Sequence, residues 1–242
     1  MVTICFDFGN TRLKYAVFNG SELEKVEVLE KGDAASIEWL LSAYKPERTI
    51  LSSVIDHDPA IEEVLSKGSS FHKLSHLSVL PFTLEVGKPE TMGADRAALA
   101  AAAQSTYQNR HCVVVGLGTA ITYNYISKYG AFLGGGISPG MEMRFKSLKD
   151  YTAKLPLVKK DFNFPLIGYD TRTNILSGVI MGMIHEVDGM IDSYKEKFED
   201  VAVVLTGGDS AFIARHLRNE VAVDEDFVFR GLLALSQMNA GG

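Results

Sequence analysis

The chain is short of cysteine, of clustered positive charge and of long apolar runs, and each shortage removes a class of function. Only two cysteines occur, Cys5 and Cys112, with no CxxC spacing. Each sits inside an apolar strand beside a turn, so they read as buried small hydrophobes in a reducing compartment rather than a disulfide or a metal pair. The formal net charge is −6 and no Lys/Arg-rich run is present. That argues against nucleic acid as the main partner, because phosphate backbones are held by clustered cations. No run of eighteen apolar residues occurs, and the N-terminus lacks a basic region ahead of an apolar core. A cytoplasmic protein with no membrane anchor is therefore expected. What remains is an ordinary globular composition: 242 residues, 46% apolar and 22% charged, enough for one large or two modest domains. Any anion bound here must be held by local backbone dipoles and a few cations.

The first fifteen residues, MVTICFDFGNTRLKY, organise the rest. An apolar run from Val2 to Phe6 predicts a buried strand, and apolar character resumes through Tyr15, Ala16, Val17 and Phe18, so Asp7-Phe8-Gly9-Asn10-Thr11 is a turn between two strands. Gly9 removes a Cβ at the bend, Asn10 tolerates a left-handed conformation and Thr11 adds a hydroxyl, so backbone N–H groups can crowd around an anion. Asp7 beside such an anion needs a cation between them. Mg²⁺ carrying a nucleotide's phosphates is the natural one, and Lys14 adds a point charge. The competing reading is an ordinary hairpin with a capping Asp.

A second copy changes the balance. Residues 112–126, CVVVGLGTAITYNYI, repeat the pattern of apolar strand, Gly-Thr turn and β-rich strand, here with Gly118 and Thr119. Two such units suggest two similar halves, each presenting a phosphate-cradling hairpin.

Between and after these copies the pattern predicts an α/β chain. A third strand is expected over Val26–Leu29, a helix through Ile37–Tyr44, a strand over Thr49–Val54 ending in Ser52-Ser53, a short helix at 61–65 and a strand over Phe71–Leu74. His57, His72 and His76 lack partners at metal spacing and read as exposed or capping. Thr91-Met92-Gly93-Ala94-Asp95-Arg96 opens an Ala-rich helix. Asp95 suits helix capping, but Arg96 opposes the helix dipole, so a ligand-facing role stands equally open. Gly134-Gly135-Gly136 before Pro139-Gly140 implies a close approach by another element or by a ligand. A helix is expected over Met141–Asp150, then an irregular flap or dimer contact, then a long helix over Thr173–Lys195 whose Gly178 and Gly182 permit a close neighbour. Val201–Leu205 is a strand ending in Thr206-Gly207-Gly208-Asp209, a turn that suits either a nucleotide or a plain strand-to-helix link.

The ordered set DFGNT, GADR, GLGTA, GGGISPG, a threonine ahead of a Ser-Gly pair, LTGGD and FRGLLAL resembles the type III pantothenate kinases of the acetate and sugar kinase/Hsc70/actin superfamily. The resemblance covers nearly the whole chain. It implies two ribonuclease H-like (actin-like ATPase) domains, 1–108 and 109–242, each a mixed sheet with an antiparallel three-strand meander and flanking helices, with a cleft between them. It also implies ATP-dependent phosphorylation of pantothenate, the first step of coenzyme A synthesis, by a homodimer using Mg²⁺. By position, Asp7 (on the Mg²⁺ side), Gly9, Asn10, Thr11 and Lys14 match the first phosphate motif, and Gly118 and Thr119 the second. Asp95 matches the general base, Gly93, Ala94 and Arg96 the substrate segment, Thr171 a pantothenate contact, and Gly207 and Gly208 the nucleotide-side turn.

Two positions depart from that pattern. Gly116 stands where the family has an Asp that helps hold a monovalent cation, which makes a K⁺ or NH₄⁺ requirement doubtful. Val86 stands where a tyrosine packs on pantothenate. Lys14, Arg12 or Lys146 are candidates to replace the lost positive charge. A nucleotide-binding homologue with weakened catalysis and a regulatory role is the alternative expectation.

Overall fold

Strand alternation in the opening residues decides which side chains share a face, and the computed structural model, which describes residues 1–239, follows it. β1 (Val2–Phe8), β2 (Leu13–Asn19) and β3 (Glu22–Val28) form an antiparallel meander, followed by α1 (Ala34–Tyr44), β4 (Arg48–Ser53), α2 (Pro59–Gly68) and β5 (Ser70–Lys73). Next come β6 (Thr83–Leu84) and α3 (Ala94–Thr106), then the second meander, β7 (His111–Leu117), β8 (Ala120–Ile126) and β9 (Ala131–Pro139). The order ends with α4 (Met141–Asp150), α5 (Thr171–Lys197), β10 (Val201–Thr206), α6 (Ser210–Ala214), β11 (Ala222–Val223) and α7 (Phe227–Met238).

The chain divides into two compact units. The first comprises Met1–Asn109, Ile126–Leu133 and the chain from Asp226 onward; the second comprises Arg110–Tyr125 and Gly134–Glu225. These units cross the 108/109 division at two places, because the β8–β9 tip and α7 both belong with the first. Residues 240–242 of the expected second half lie outside the described residues.

In the first unit the sheet order is β3-β2-β1-β4-β5, with β1–β4 and β4–β5 parallel. Ile4, Phe6 and Phe8 share one face with Tyr15, Val17 and Leu51 and pack on Ile37, Leu40, Ile61 and Leu65 of α1 and α2. The opposite face, with fully buried Cys5, Ala16 and Ile50, is covered by α3 and α7. The helix α3 buries an unbroken run from Ala97 to Ala103, and small residues there let α7 approach closely. Closest is Gly231, where a Cβ would lie 1.8 Å from the carbonyl oxygen of Ala98.

In the second unit the order is β11-β10-β7-β8-β9, with β10 parallel to both β7 and β11, and β6 continues the sheet in parallel with the start of β9 at Ala131 and Phe132. This is the strand order of the first unit repeated, with β7, β8, β9, β10 and β11 in the places of β1, β2, β3, β4 and β5. Val113 and Val115 pack on Leu176, Ile180, Met183 and Val187 of α5.

Several expectations shift in detail. The third strand begins at Glu22, not Val26, because as an edge strand it is largely exposed and needs no apolar run to mark it. The long helix begins at Thr171, where a capping box between Asp170 and Thr173 starts it; Thr173 is its third residue. Gly178 and Gly182 were expected to admit a neighbour, yet a Cβ at either meets nothing within 4 Å. Gly135, at φ +149°, does meet another element: a Cβ there would lie 1.9 Å from the Tyr123 carbonyl oxygen on β8, so strand packing requires this glycine. His57 is neither exposed nor capping. Its ring lies edge-on to Phe8 and bonds Glu62 at 2.9 Å. No described helix is long and apolar enough to cross a membrane.

Candidate active site

Side chains that alternate along neighbouring strands line up in rows across a sheet. Asp7 on β1 is the Cα partner of Lys14 on β2 and of Ser52 on β4. All three therefore lie on the face that α3 and α7 cover. The Ser52 hydroxyl donates to Asp7 Oδ1 at 3.3 Å. The Lys14 ammonium meets Asp226, the residue before α7, at 3.4 Å. Asp226 was not foreseen from the sequence: it lies 212 positions from Lys14 and no local pattern ties the two together.

The turn after β1 is closed by Gly9 N–H donating to the Arg12 carbonyl at 3.1 Å, with Asn10, Thr11 and Arg12 exposed. Asn10 can tolerate a left-handed conformation, but it is absent from the residues with positive φ. The four residues between the strands leave room to reverse with ordinary dihedrals, so the asparagine's special tolerance goes unused.

Asp95, far along the sequence of the same unit, lies near enough to Asp7 for its charge to act there. Gly93 is the residue before α3, Ala94 begins the helix, and Asp95 and Arg96 occupy its first turn. The N-cap residue Gly93 makes no side-chain cap bond, while the Asp95 carboxylate accepts from the Arg96 backbone N–H in the first turn, so Asp95 serves the helix start as well. The Asp95 side chain folds back over Gly93, where a Cβ would lie 2.5 Å from its Oδ1. Arg96 places its guanidinium 5.5 Å from the centre of the buried Phe132 ring.

The electrostatics couple the two carboxylates. Desolvation pushes Asp7 up to about 6; the Asp95 charge adds to the rise, while the Ser52 hydrogen bond and Lys14 oppose it. Asp95 is likewise raised, chiefly by desolvation, against the Arg96 backbone N–H and side-chain charge. Two partly buried carboxylates that each resist ionisation form a donor set with a deficit of positive charge. That suits a hard divalent cation which takes one or two carboxylates and completes its shell with phosphate and water. Among the described residues no cluster of three or more His, Cys, Asp or Glu forms an all-protein metal cage.

In the second unit three glycine turns converge. Gly118 and Thr119 link β7 to β8, with Gly118 N–H donating to Ala120 O at 3.1 Å. Gly140 N–H donates to Thr119 O, and a Cβ on Gly140 would lie 2.1 Å from Gly118 O. Gly207, at φ +92°, would bring a Cβ within 2.6 Å of Leu117 O, and Asp209 N–H donates to that same carbonyl at 3.2 Å. Gly208 is exposed with open space above it. At Gly140 and Gly207 close backbone packing thus requires the glycine, as it does at Gly135, while Gly208 keeps open space. Lys160 was not foreseen; it bonds Asp209 at 2.8 Å and ties the irregular 151–170 segment to this turn.

Thr171, exposed at the start of α5, lines an open groove of about 620 Å³ with Arg144, Leu148, Leu155, Asn174 and Gly178. Gly116 on β7 is the Cα partner of Thr206, whose hydroxyl donates to Glu225 O at 3.2 Å. Val86 is partly buried in the turn after β6. Of the candidate replacement cations, Lys14 is engaged with Asp226, while Arg12 and Lys146 are exposed.

Gly93→Ala tests the fold-back of Asp95. The new methyl displaces a rotatable carboxylate rather than backbone, so stability should hold within about 0.5 kcal/mol. Turnover should fall ~10–100-fold, since a displacement of about 1 Å is enough to cost that much. A melting curve and kcat measured on the same sample check both halves.

A family profile described as "Type III pantothenate kinase" matches residues 3–193. A Type III pantothenate kinase from Christiangramia forsetii is 42% identical over 240 residues, covering 98% of this chain and 99% of that protein. Among solved structures, a Campylobacter jejuni chain described as a Baf family transcriptional activator aligns with a TM-score of 0.64 at 22% identity, over 98% of both chains. A Listeria monocytogenes protein described as an N-acetylmannosamine kinase aligns with a TM-score of 0.51 at 13% identity, over 99% and 98% of the two chains. At such identities these two structures speak for the actin-like fold alone.

Proposed function

This chain belongs to the type III pantothenate kinases and transfers a phosphoryl group from ATP to pantothenate in coenzyme A synthesis, and on that footing we propose which of its residues do the work. Asp95 is the general base for the pantothenate hydroxyl. Asp7 stands on the metal side, with Mg²⁺ the fitting ion. Gly9, Asn10, Thr11, Lys14, Gly118, Thr119, Gly207 and Gly208 bind ATP. Gly93, Ala94, Arg96 and Thr171 contact pantothenate. The observation that carries this reading is that Asp7 and Asp95, from motifs far apart in sequence, lie close enough for one charge to raise the other's pKa.

Phosphoryl transfer through a loose transition state asks for positioning and charge neutralisation more than for covalent help. Lys14, held by Asp226, supplies a fixed positive charge in the Asp7 row. Asp95, turned back over Gly93, accepts the hydroxyl proton late in the transfer, so its placement matters more than its basicity. Mg²⁺, when bound through Asp7 and the nucleotide's phosphates, neutralises charge that builds on the phosphoryl oxygens. The exposed Arg12 and Lys146 are left as second candidates for the charge lost at position 116.

We further propose that the enzyme is a cytoplasmic homodimer and needs no monovalent cation. The open space above the exposed Gly178 and Gly182 on α5 supports the homodimer. Gly116, which offers no carboxylate, supports the second. A coupled ATPase assay should show ATP consumption that depends on pantothenate and stays within about 2-fold with and without K⁺, because no charged ligand stands at position 116. Strong K⁺ activation overturns the cation proposal. Consumption indifferent to pantothenate favours the weakened homologue.

A further inference from the structure

We propose that Ser52 is a positioning residue that holds the Asp7 carboxylate in the orientation in which it meets the metal. The proposal rests on the reading of Asp7 as the metal-side carboxylate. Ser52 is fully buried on a face of β4 whose preceding member, Ile50, is apolar. A hydroxyl at that position needs a partner, and the one it has is Asp7 Oδ1, reached straight across the parallel ladder. One carboxylate oxygen is thereby engaged and the group's rotation limited, while Oδ2 is left to a ligand. Partners that orient a metal's own ligand act in this way.

The adjacent serine provides the contrast. Ser53 points to the opposite face, where its hydroxyl donates to Ile55 O at 2.9 Å and lies 3.1 Å from His57 Nδ1. It touches nothing on the Asp7 side.

The repeat provides a second contrast. Gly116 holds in β7 the place that Asp7 holds in β1, two residues before the turn glycine, and its ladder partner Thr206 holds the place of Ser52. Both units therefore carry a hydroxyl on the neighbouring strand at this step. Where a carboxylate stands opposite, the hydroxyl bonds it; where glycine stands opposite, the hydroxyl bonds the Glu225 backbone carbonyl instead. A serine kept only to satisfy itself in the core has no reason to track the carboxylate in this way.

The test uses Mn²⁺ as a probe, read by electron paramagnetic resonance or water-proton relaxation in the presence of ADP, with no turnover required. Ser52→Ala should weaken Mn²⁺ binding about 10-fold or more, the usual effect of losing such a partner, while metal-free ADP binding stays as in the wild type. Ser52→Thr, which keeps the hydroxyl, should recover most of the affinity, and Ser53→Ala should leave it unchanged. If Ser52→Ala melts below the assay temperature, Ser52→Cys takes its place: it keeps the shape but offers only a weak donor, and the same loss is expected. Wild-type Mn²⁺ affinity in Ser52→Ala or Ser52→Cys, or an equal loss in Ser53→Ala, overturns the proposal. Asp7→Asn separates it from the underlying reading. Loss of Mn²⁺ in Asp7→Asn but not in the Ser52 variants sinks the Ser52 role alone, whereas normal binding in Asp7→Asn sinks the metal assignment of Asp7 as well.

Discussion

Asp95→Asn is expected to lower kcat ~10²–10⁴-fold, the usual contribution of a positioned general base, while nucleotide affinity stays near that of the wild type. The amide keeps the shape of the carboxylate and its place over Gly93 but cannot take up the hydroxyl proton. The coupling of the two carboxylates adds further readouts. Burial raises Asp95, and Asp7 is pushed up to about 6 in part by the Asp95 charge. The acid limb of kcat/KM should therefore lie above the ordinary carboxylate range, with apparent values that belong to the pair. Removing the Asp95 charge should bring Asp7 down. Stability should move the other way. An unfolded Asp titrates at about 3.9, so between that value and about 6 the folded chain holds the extra proton on Asp7. Stability from this source is present below the unfolded pKa and lost as pH rises through the folded one. At pH 7 the variant should accordingly melt higher than the wild type, with the gain shrinking toward pH 4. Parallel loss of nucleotide binding and melting temperature would make Asp95 a structural residue instead.

Gly231→Ala should destabilise the protein by at least about 3 kcal/mol, at the upper end of overpacking costs, or roughly 6–12 °C in Tm for a chain of this size. A Cβ there lies 1.8 Å from Ala98 O, 2.7 Å from Ala98 C and 2.9 Å from Ala102 N. These are backbone atoms inside a helix and cannot rotate aside. α3 must move bodily from α7, opening the seam along Ala97–Ala103 and carrying Asp95 with it, so kcat should fall along with Tm. The same substitution on α5 gives the opposite sign. Gly189→Ala meets nothing within 4 Å, and helix propensity alone favours it by up to about 1 kcal/mol. Two differential scanning runs settle the contrast; a Gly231→Ala melt within a degree of the wild type would show that the two helices can part without cost.

The elements that carry the two glycine-threonine motifs were the most legible in the sequence. β1, the Gly-Thr turn and β7 are marked by apolar runs ending in small residues, and the repeated unit foretold a repeated strand order. What was hidden lay in relations between distant residues. The row of Lys14, Asp7 and Ser52 depends on register, and register depends on which strand β4 joins, which no local pattern states. The boundary near residue 108 looked natural because the second motif begins there, yet α7 belongs with the first unit, drawn by an alanine surface on α3 that only a glycine-bearing helix can approach. The three glycines of β9 carried two readings in sequence, packing and ligand; at Gly135, a carbonyl on the neighbouring strand decides for packing. Asn10 shows the reverse, a permissive residue in a turn that makes no demand on it.

The return of α7 to the first unit also bears on the order in which the protein can be made. The residues that complete the casing of β1 and α3 leave the ribosome after the whole second unit has been translated. Until then the face of α3 that α7 covers stays open. The nascent first unit must wait, partly open, and the helix that carries Asp95 takes its final seat only once α7 has emerged.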